Sequence, residues 1–359
     1  MNVIKKQSLQ TRNSSIELLR IIALMGVILL HYNNREAGGG FKYVTDGSIN
    51  QCYLYLIENI FVCAVDLFIM ISAFYLSTTK KRKIIKVVEL NLQVIAFRVA
   101  GYLISALIDG EQILLKAIIR YMLTVNYFVI LYSVLYILSP YINVLLEKIR
   151  KQDFKKLVLW LIGLFSLWTS LVDLLENIVG HTFDGLSTVG MYGSQYGYSI
   201  VNFVLLYFIG AYIRVNKIQL KKRTAAISIL VLLCVMFFVS LLEHKIGLAE
   251  SVWNYNNPLV IVMAILVLLL FMNFNYCNRG INELAKGAFT CFLFHGYFIG
   301  KVHIADFVNQ PLYSLILHQV IVAVGLYLLS YVAYKIYHFC SGWFIKWISP
   351  AFEKFDISL

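Results

Sequence analysis

Charge is what this chain has least of. Only 14% of its 359 residues are Asp, Glu, Lys or Arg, and 60% are hydrophobic, where soluble domains carry about a quarter charged residues. With a mean hydropathy of +0.75, that balance excludes an ordinary soluble domain and points to a polytopic membrane protein. Proline is scarce, with 4 in the chain, so the apolar runs have little to break them. Pro140 lies inside the fourth run, and Pro258 opens the eighth, where proline is tolerated. The six cysteines form no Cys-x-x-Cys pair. Neither a metal site nor a disulfide framework is expected from their spacing, and they read as small buried hydrophobes. Internal repeats and low-complexity tracts are missing as well, and no soluble domain is expected after the last apolar run.

What is present is a series of ten apolar runs, at about 15–33, 53–77, 84–108, 126–146, 156–176, 199–214, 224–242, 257–273, 287–301 and 313–338. The sixth and ninth are short for a perpendicular span, which suggests burial in protein rather than lipid. Counting Lys and Arg on alternate sides gives 22 on the side of the N-terminus and 6 on the other, with Arg20, Arg98 and Lys335 inside runs. The positive-inside asymmetry predicts both termini in the cytoplasm. The net charge of +12 is divided among short clusters, which read as topology signals rather than as a nucleic-acid surface. Lys5, Lys6 and Arg12 ahead of the first run imitate a signal peptide, but no small-x-small site follows Leu30, so the segment is expected to be retained. The predicted fold is all-α, a polytopic helical bundle of about ten transmembrane helices in contact with membrane lipids. Residues 1–14 and 339–359 are expected as cytoplasmic tails around a membrane domain at 15–338.

The first run carries the most chemistry. Eleven positions separate Arg20 from His31, three helical turns plus roughly 20°, so the two share a face about 16 Å apart along the axis. Glu17 falls within about 40° of the same line. Ionisable groups in lipid cost several kcal/mol unless they face protein or water. The stripe therefore reads as a site rather than an anchor, although an i,i+3 ion pair between Glu17 and Arg20 is an equally good reason for those two. In the second run, Asp66 lies near mid-membrane and needs a partner or a wet cavity. Arg98 in the third run is at matching depth, and a purely structural ion pair between them is the competing reading.

These stretches resemble the membrane-bound acyltransferase 3 family. Arg20, ten intervening residues and His31 fit its basic-x10-His pattern, in which the histidine is catalytic. Val65-Asp66-Leu67-Phe68-Ile69-Met70-Ile71-Ser72-Ala73-Phe74 is similar to its Val-Asp-x-Phe-Phe-x-x-Ser-Gly-Phe element, with Ile69 and Ala73 departing from it. Asn126-Tyr127-Phe128 through Leu138-Ser139-Pro140-Tyr141, Tyr207-Phe208-Ile209-Gly210 and Cys291-Phe292-Leu293-Phe294-His295 follow in the family's order.

The resemblance implies an O-acetyltransferase that takes acetyl from acetyl-CoA and gives it to a polysaccharide or lipid-linked glycan in a bacterial plasma membrane. On that reading His31 is the general base, supported by Glu17 and Asp66. Arg20, Arg98 and the cluster Lys80, Lys81, Arg82 are candidates for the donor, the cluster standing where the family tends to carry an Arg-rich run. The same cluster also reads as a positive-inside signal. Tyr127 and His295 are candidates for substrate contacts. Histidine suits the task because its ordinary pKa of about 6.5 leaves it mostly neutral near pH 7. A carrier of polysaccharide intermediates is the alternative, since buried charges in a bundle also mark translocation paths.

Overall fold

Asn13 starts the first helix by accepting a hydrogen bond from the Ser15 amide at 3.0 Å, and the helix runs Ser14–Asn33. Its buried first turn is tied down from afar. Ser14 Oγ donates to Asn282 Oδ1 at 2.7 Å, and Ser15 Oγ donates to the Phe271 carbonyl at 2.7 Å. These hydroxyls tie the entry of the chain into the bundle to the segment 271–282. The apolar window of this helix is 67% buried, against 17% for helix Lys222–Lys245. The first helix is therefore central, while Leu230, Val231 and Phe238 of the other stand exposed on the periphery.

A computed structural model describes residues 13–123 and 126–359, so the expected N-terminal tail lies, through residue 12, outside the described residues. Among the described residues, eight helices are long and apolar enough to cross a membrane. They take up eight of the ten apolar runs, and the two short runs differ. The sixth is helix Ile200–Val215, of 16 residues, largely buried against helix Ala64–Leu76. A Cβ on Gly210 would lie 2.6 Å from the Met70 carbonyl and 2.8 Å from Ala73 Cβ. Close approach thus comes from Gly210, which is why alanine is tolerated at Ala73. The ninth run is not one helix. It is Ala288–Phe294 followed by tight turns at His295–Tyr297 and Ile299–Lys301, and Gly296 and Gly300 favour the break.

The last helix, Leu312–Phe352, has 41 residues, about 60 Å by helical rise, twice the thickness of a bilayer core. Residues 339–359 continue it and then close on the body. Strand β1 (Lys81–Arg82) pairs antiparallel with strand β2 (Ile357–Ser358), and Asp356 Oδ1 accepts from the Ile84 amide at 2.8 Å.

At the opposite end from the first turn, two loops are locked together. Residues 163–167 form a wide π-turn between helices Lys151–Ile162 and Trp168–Val179. Beside it Ser166 Oγ donates to the Asn256 carbonyl at 2.7 Å, and Asn256 Nδ2 donates to Thr169 Oγ1 at 2.9 Å. Asp173 accepts from the Ser194 amide at 2.9 Å and from Asn254 Nδ2 at 3.0 Å. Gly197, with φ +80°, comes so close that a Cβ would sit 2.6 Å from the Asn256 amide. The result is a fixed platform that carries Tyr196, Tyr198, Trp253 and Tyr255.

Candidate active site

His31 lies in the last turn of the first helix, and its Nδ1 is 2.9 Å from the Val27 carbonyl. His295 ends the broken helix, with Nδ1 2.7 Å from the Cys291 carbonyl. A carbonyl only accepts, so each Nδ1 carries its ring proton and each Nε2 keeps a lone pair. The two rings meet edge to face, 4.8 Å between centroids, with His295 Nε2 3.3 Å from His31 Nδ1. The His31 Nδ1 proton is thus shared between Val27 and the buried His295. Nε2 of His31 is left as the basic nitrogen.

Both histidines line a cavity of about 400 Å3 together with Arg98, Tyr127, Tyr198 and Tyr255. Tyr127 contacts Tyr198, ring to ring at 4.8 Å. Arg98 enters this cavity with no hydrogen bond or ion pair among the described residues. The expected Asp66–Arg98 pair does not form. Asp66 is wholly buried in the first turn of its helix, and neither carboxyl oxygen has a hydrogen-bond partner among the described residues. Helical rise matches the depth of two residues but says nothing about which way their helices are rotated.

Toward the other end of the first helix, Glu17 and Arg20 pair at 3.3 Å and line a second cavity with Lys286, Phe128 and Phe292. Glu17 is about 21 Å from His31 by helical rise, so it does not reach the histidines. The cluster expected to meet the donor does not line this cavity. Lys80 pairs with Glu147 at 2.6 Å, and Lys81 is an exposed residue of β1. Arg82 is buried, donating to Ser139 Oγ and to the carbonyls of Leu76, Thr79 and Lys81 at 2.8 to 3.0 Å, with its guanidinium over Tyr136. With its donors already occupied, Arg82 serves the fold, because a phosphate would have to displace buried hydrogen bonds.

Lys286 is a second cation at this mouth. In the sequence it stands one residue ahead of the ninth run, in the Leu284-Ala285-Lys286 stretch that resembles the start of the family's late element, and it also reads as a topology signal. Trp253 and Tyr255 carry no signal in the sequence that marks them for the site, whereas Glu58 reads as a carboxylate able to orient a ring or hold a cation, with no partner that the sequence can name. Glu58 accepts from Asn33 Nδ2 at 2.9 Å and shares a third cavity with His31, Tyr198 and Tyr255.

Neighbouring cavities share lining residues. Phe292 lines both the Arg20 cavity and the histidine cavity. His31, Tyr198 and Tyr255 line both the histidine cavity and the Glu58 cavity. Tyr196, Trp253 and Asn254 line both that one and a fourth, at the loop end. His31 lines the two middle cavities of this string.

The family model described as an acyltransferase domain, that of acyltransferase 3, matches residues 13–335. The chain belongs to the acyltransferase 3 family. No curated protein and no solved structure matches it significantly. This acyltransferase 3 protein is a multi-pass membrane acyltransferase, and the matched region holds every residue of the cavity string named above. Acyl transfer needs a base or nucleophile reachable by two substrates at once. A neutral imidazole between two cavities meets that need.

Proposed function

We propose that the protein is an O-acetyltransferase that moves acetyl from acetyl-CoA, entering at the Arg20 end, to a hydroxyl of a surface or lipid-linked glycan entering at the loop end. The observation that carries this reading is the string of cavities meeting at the histidine pair, cationic at one end and aromatic at the other. The Lys and Arg asymmetry supports a cytoplasmic Arg20 end and a bacterial plasma membrane as the location.

Acetyl-CoA supplies a thioester carbonyl, whose C–S bond breaks as the acceptor oxygen bonds to its carbon. Arg20 and Lys286 face the donor's phosphates at the mouth, with Glu17 holding Arg20 in place. Nε2 of His31 takes the acceptor hydroxyl's proton and returns it to the leaving thiolate. His295 accepts from His31 Nδ1, which fixes the ring's tautomer and orientation and stabilises the imidazolium while it exists. Arg98 is the available cation in the same cavity and faces the negative charge that develops on the carbonyl oxygen. Tyr127 lines the space for the acceptor, and Asp66 shapes the helix behind it.

The test uses membranes holding wild type, His31→Ala or His295→Ala, radiolabelled acetyl-CoA and the host's surface glycan, scoring label in alkali-labile ester. We expect His31→Ala to lose about 10^2- to 10^4-fold of the rate. His295→Ala should lose less and shift the pH profile of what remains, because it acts through His31. A well-folded His31→Ala protein with full activity would sink the assignment, and transport of unmodified glycan without label would favour a carrier.

A further inference from the structure

Resting on that reading, we infer that the acceptor is an extended, uncharged glycan of two or more sugar units, and that the loop end of the passage rejects sugars bearing carboxylate or phosphate. The two cavities on this side have volumes of about 330 and 640 Å3. Each by itself lies in the range of a small-ligand site. They share Tyr196, Trp253 and Asn254 as lining, and end to end they extend from the loops to His31, a span that fits a chain rather than a single ring.

The lining has the chemistry of neutral carbohydrate recognition. Tyr196, Tyr198, Trp253 and Tyr255 offer flat apolar faces with a polar edge, suited to the C–H face of a pyranose. Glu58, Asn34 and Asn254 supply the acceptors and donors that hydroxyl groups need.

Charge sets the selectivity. Asp173, Glu176 and Glu250 line the outer part, and no Lys or Arg lines either cavity among the described residues. Their partners are neutral for the most part. Asp173 is held by Ser194 and Asn254, and Glu176 accepts from the Phe183 amide at 2.9 Å. Glu250 accepts from the Tyr55 hydroxyl at 2.8 Å, with His244 Nδ1 3.8 Å away. An anionic sugar would therefore meet carboxylates, with no Lys or Arg and only the His181 imidazole of the outer lining to offset its desolvation. The Arg20 end of the same passage is lined by two cations, so the deficit belongs to this groove.

The platform explains why the groove keeps its shape. Gln195 and Tyr196 both have positive φ, 54° and 56°, a costly conformation for residues other than glycine. The hydrogen bond from the Tyr255 amide to the Tyr196 carbonyl, at 3.0 Å, holds them there and keeps the Tyr196 ring exposed beside Trp253.

The test reads binding apart from chemistry. Purified full-length protein in micelles, without acetyl-CoA, is applied to an array of neutral, amine-bearing and uronic- or sialic-acid-bearing oligosaccharides. We expect retention on neutral oligosaccharides, at least tenfold weaker retention on their acidic counterparts, and a tenfold or greater loss for Tyr196→Ala. Tyr196 is 67% exposed, so this variant tests the groove with little risk to the fold. Asn177→Lys, which places a cation in the groove, should raise retention on acidic glycans. Equal or stronger binding of acidic glycans, no binding of any neutral one, or no change in Tyr196→Ala would overturn the proposal. Label transfer from acetyl-CoA to an acidic glycan by wild type would overturn it too, while leaving the acetyltransferase reading in place.

Discussion

The two ends of the passage differ more than their shared dependence on the first helix suggests. The Arg20 end is an apolar bore with cations at its mouth, whereas the loop end is aromatic and acidic. A passage for one substrate would need a single chemistry along its length. Opposite chemistries at the two ends, meeting at an imidazole, suit two substrates that arrive from opposite sides and meet once. Electrostatics then does part of the sorting, since the acidic loop end disfavours the anionic donor.

Arg98 gives the largest break in that comparison after His31 itself. It is a cation on the histidine side of Phe292, away from the donor mouth. If it faces the developing oxyanion, Arg98→Ala should lower kcat by about 10^2- to 10^3-fold with a small change in KM for the donor. If it merely holds the donor's phosphates, KM should rise and kcat should hold. Steady-state kinetics on the variant, with donor varied at saturating acceptor, separates the two.

Arg82 sharpens the same contrast from the other direction. It belongs to a basic cluster yet spends its guanidinium on Ser139 and three carbonyls. Arg82→Ala removes the donor to Ser139 Oγ and to the Lys81 carbonyl, whereas Asn143 Nδ2 still donates to the carbonyls of Leu76 and Thr79 at 2.8 and 2.7 Å, so the cost is about 1 to 3 kcal/mol for each acceptor left unsatisfied. We expect a clear fall in thermal midpoint in micelles and, in the protein that remains folded, an unchanged KM for acetyl-CoA. A raised KM with unchanged stability would return the cluster to the donor site.

How far the sequence could be read follows from these cases. Glu17, Arg20 and His31 sit on one helix, so helical geometry alone put them on one face and set their spacing. His295 is 264 positions away from His31, and only folding brings them together. Asp66 and Arg98 were matched by depth, which rise per residue gives, but not by rotation, which it does not. Lys80, Lys81 and Arg82 look alike as charges, and hydrogen-bond satisfaction is what makes Arg82 different. The eighth apolar run starts at about 257, which leaves Trp253 and Tyr255 in an outer loop. They reach the groove through Asn254, Asn256 and Gly197, contacts between segments far apart in the chain. Composition and periodicity report local preference, whereas the site is a product of long-range packing.

The smallest effect concerns how the cation at the donor mouth is held. Glu283 accepts from Lys286 at 2.6 Å and also pairs with Lys335, so it fixes Lys286 where that residue lines the cavity. These two lysines, Lys286 first, lower the Glu283 carboxyl from 4.5 to about 2. A carboxyl whose folded value is depressed contributes stability above its unfolded value and loses it as pH falls through the folded one. The contribution should therefore be constant above about pH 4.5 and fade between there and about pH 2. Because the cluster is solvent-exposed, its size should be no more than about 1 kcal/mol and should shrink with added salt. Glu283→Gln should thus melt slightly below wild type at neutral pH, and the gap should close only below pH 4.5. At neutral pH the freed Lys286 should raise the KM for acetyl-CoA modestly while leaving kcat alone. A change in kcat instead would mean that this ion cluster communicates with the histidines, and the division of the passage into two independent ends would have to be abandoned.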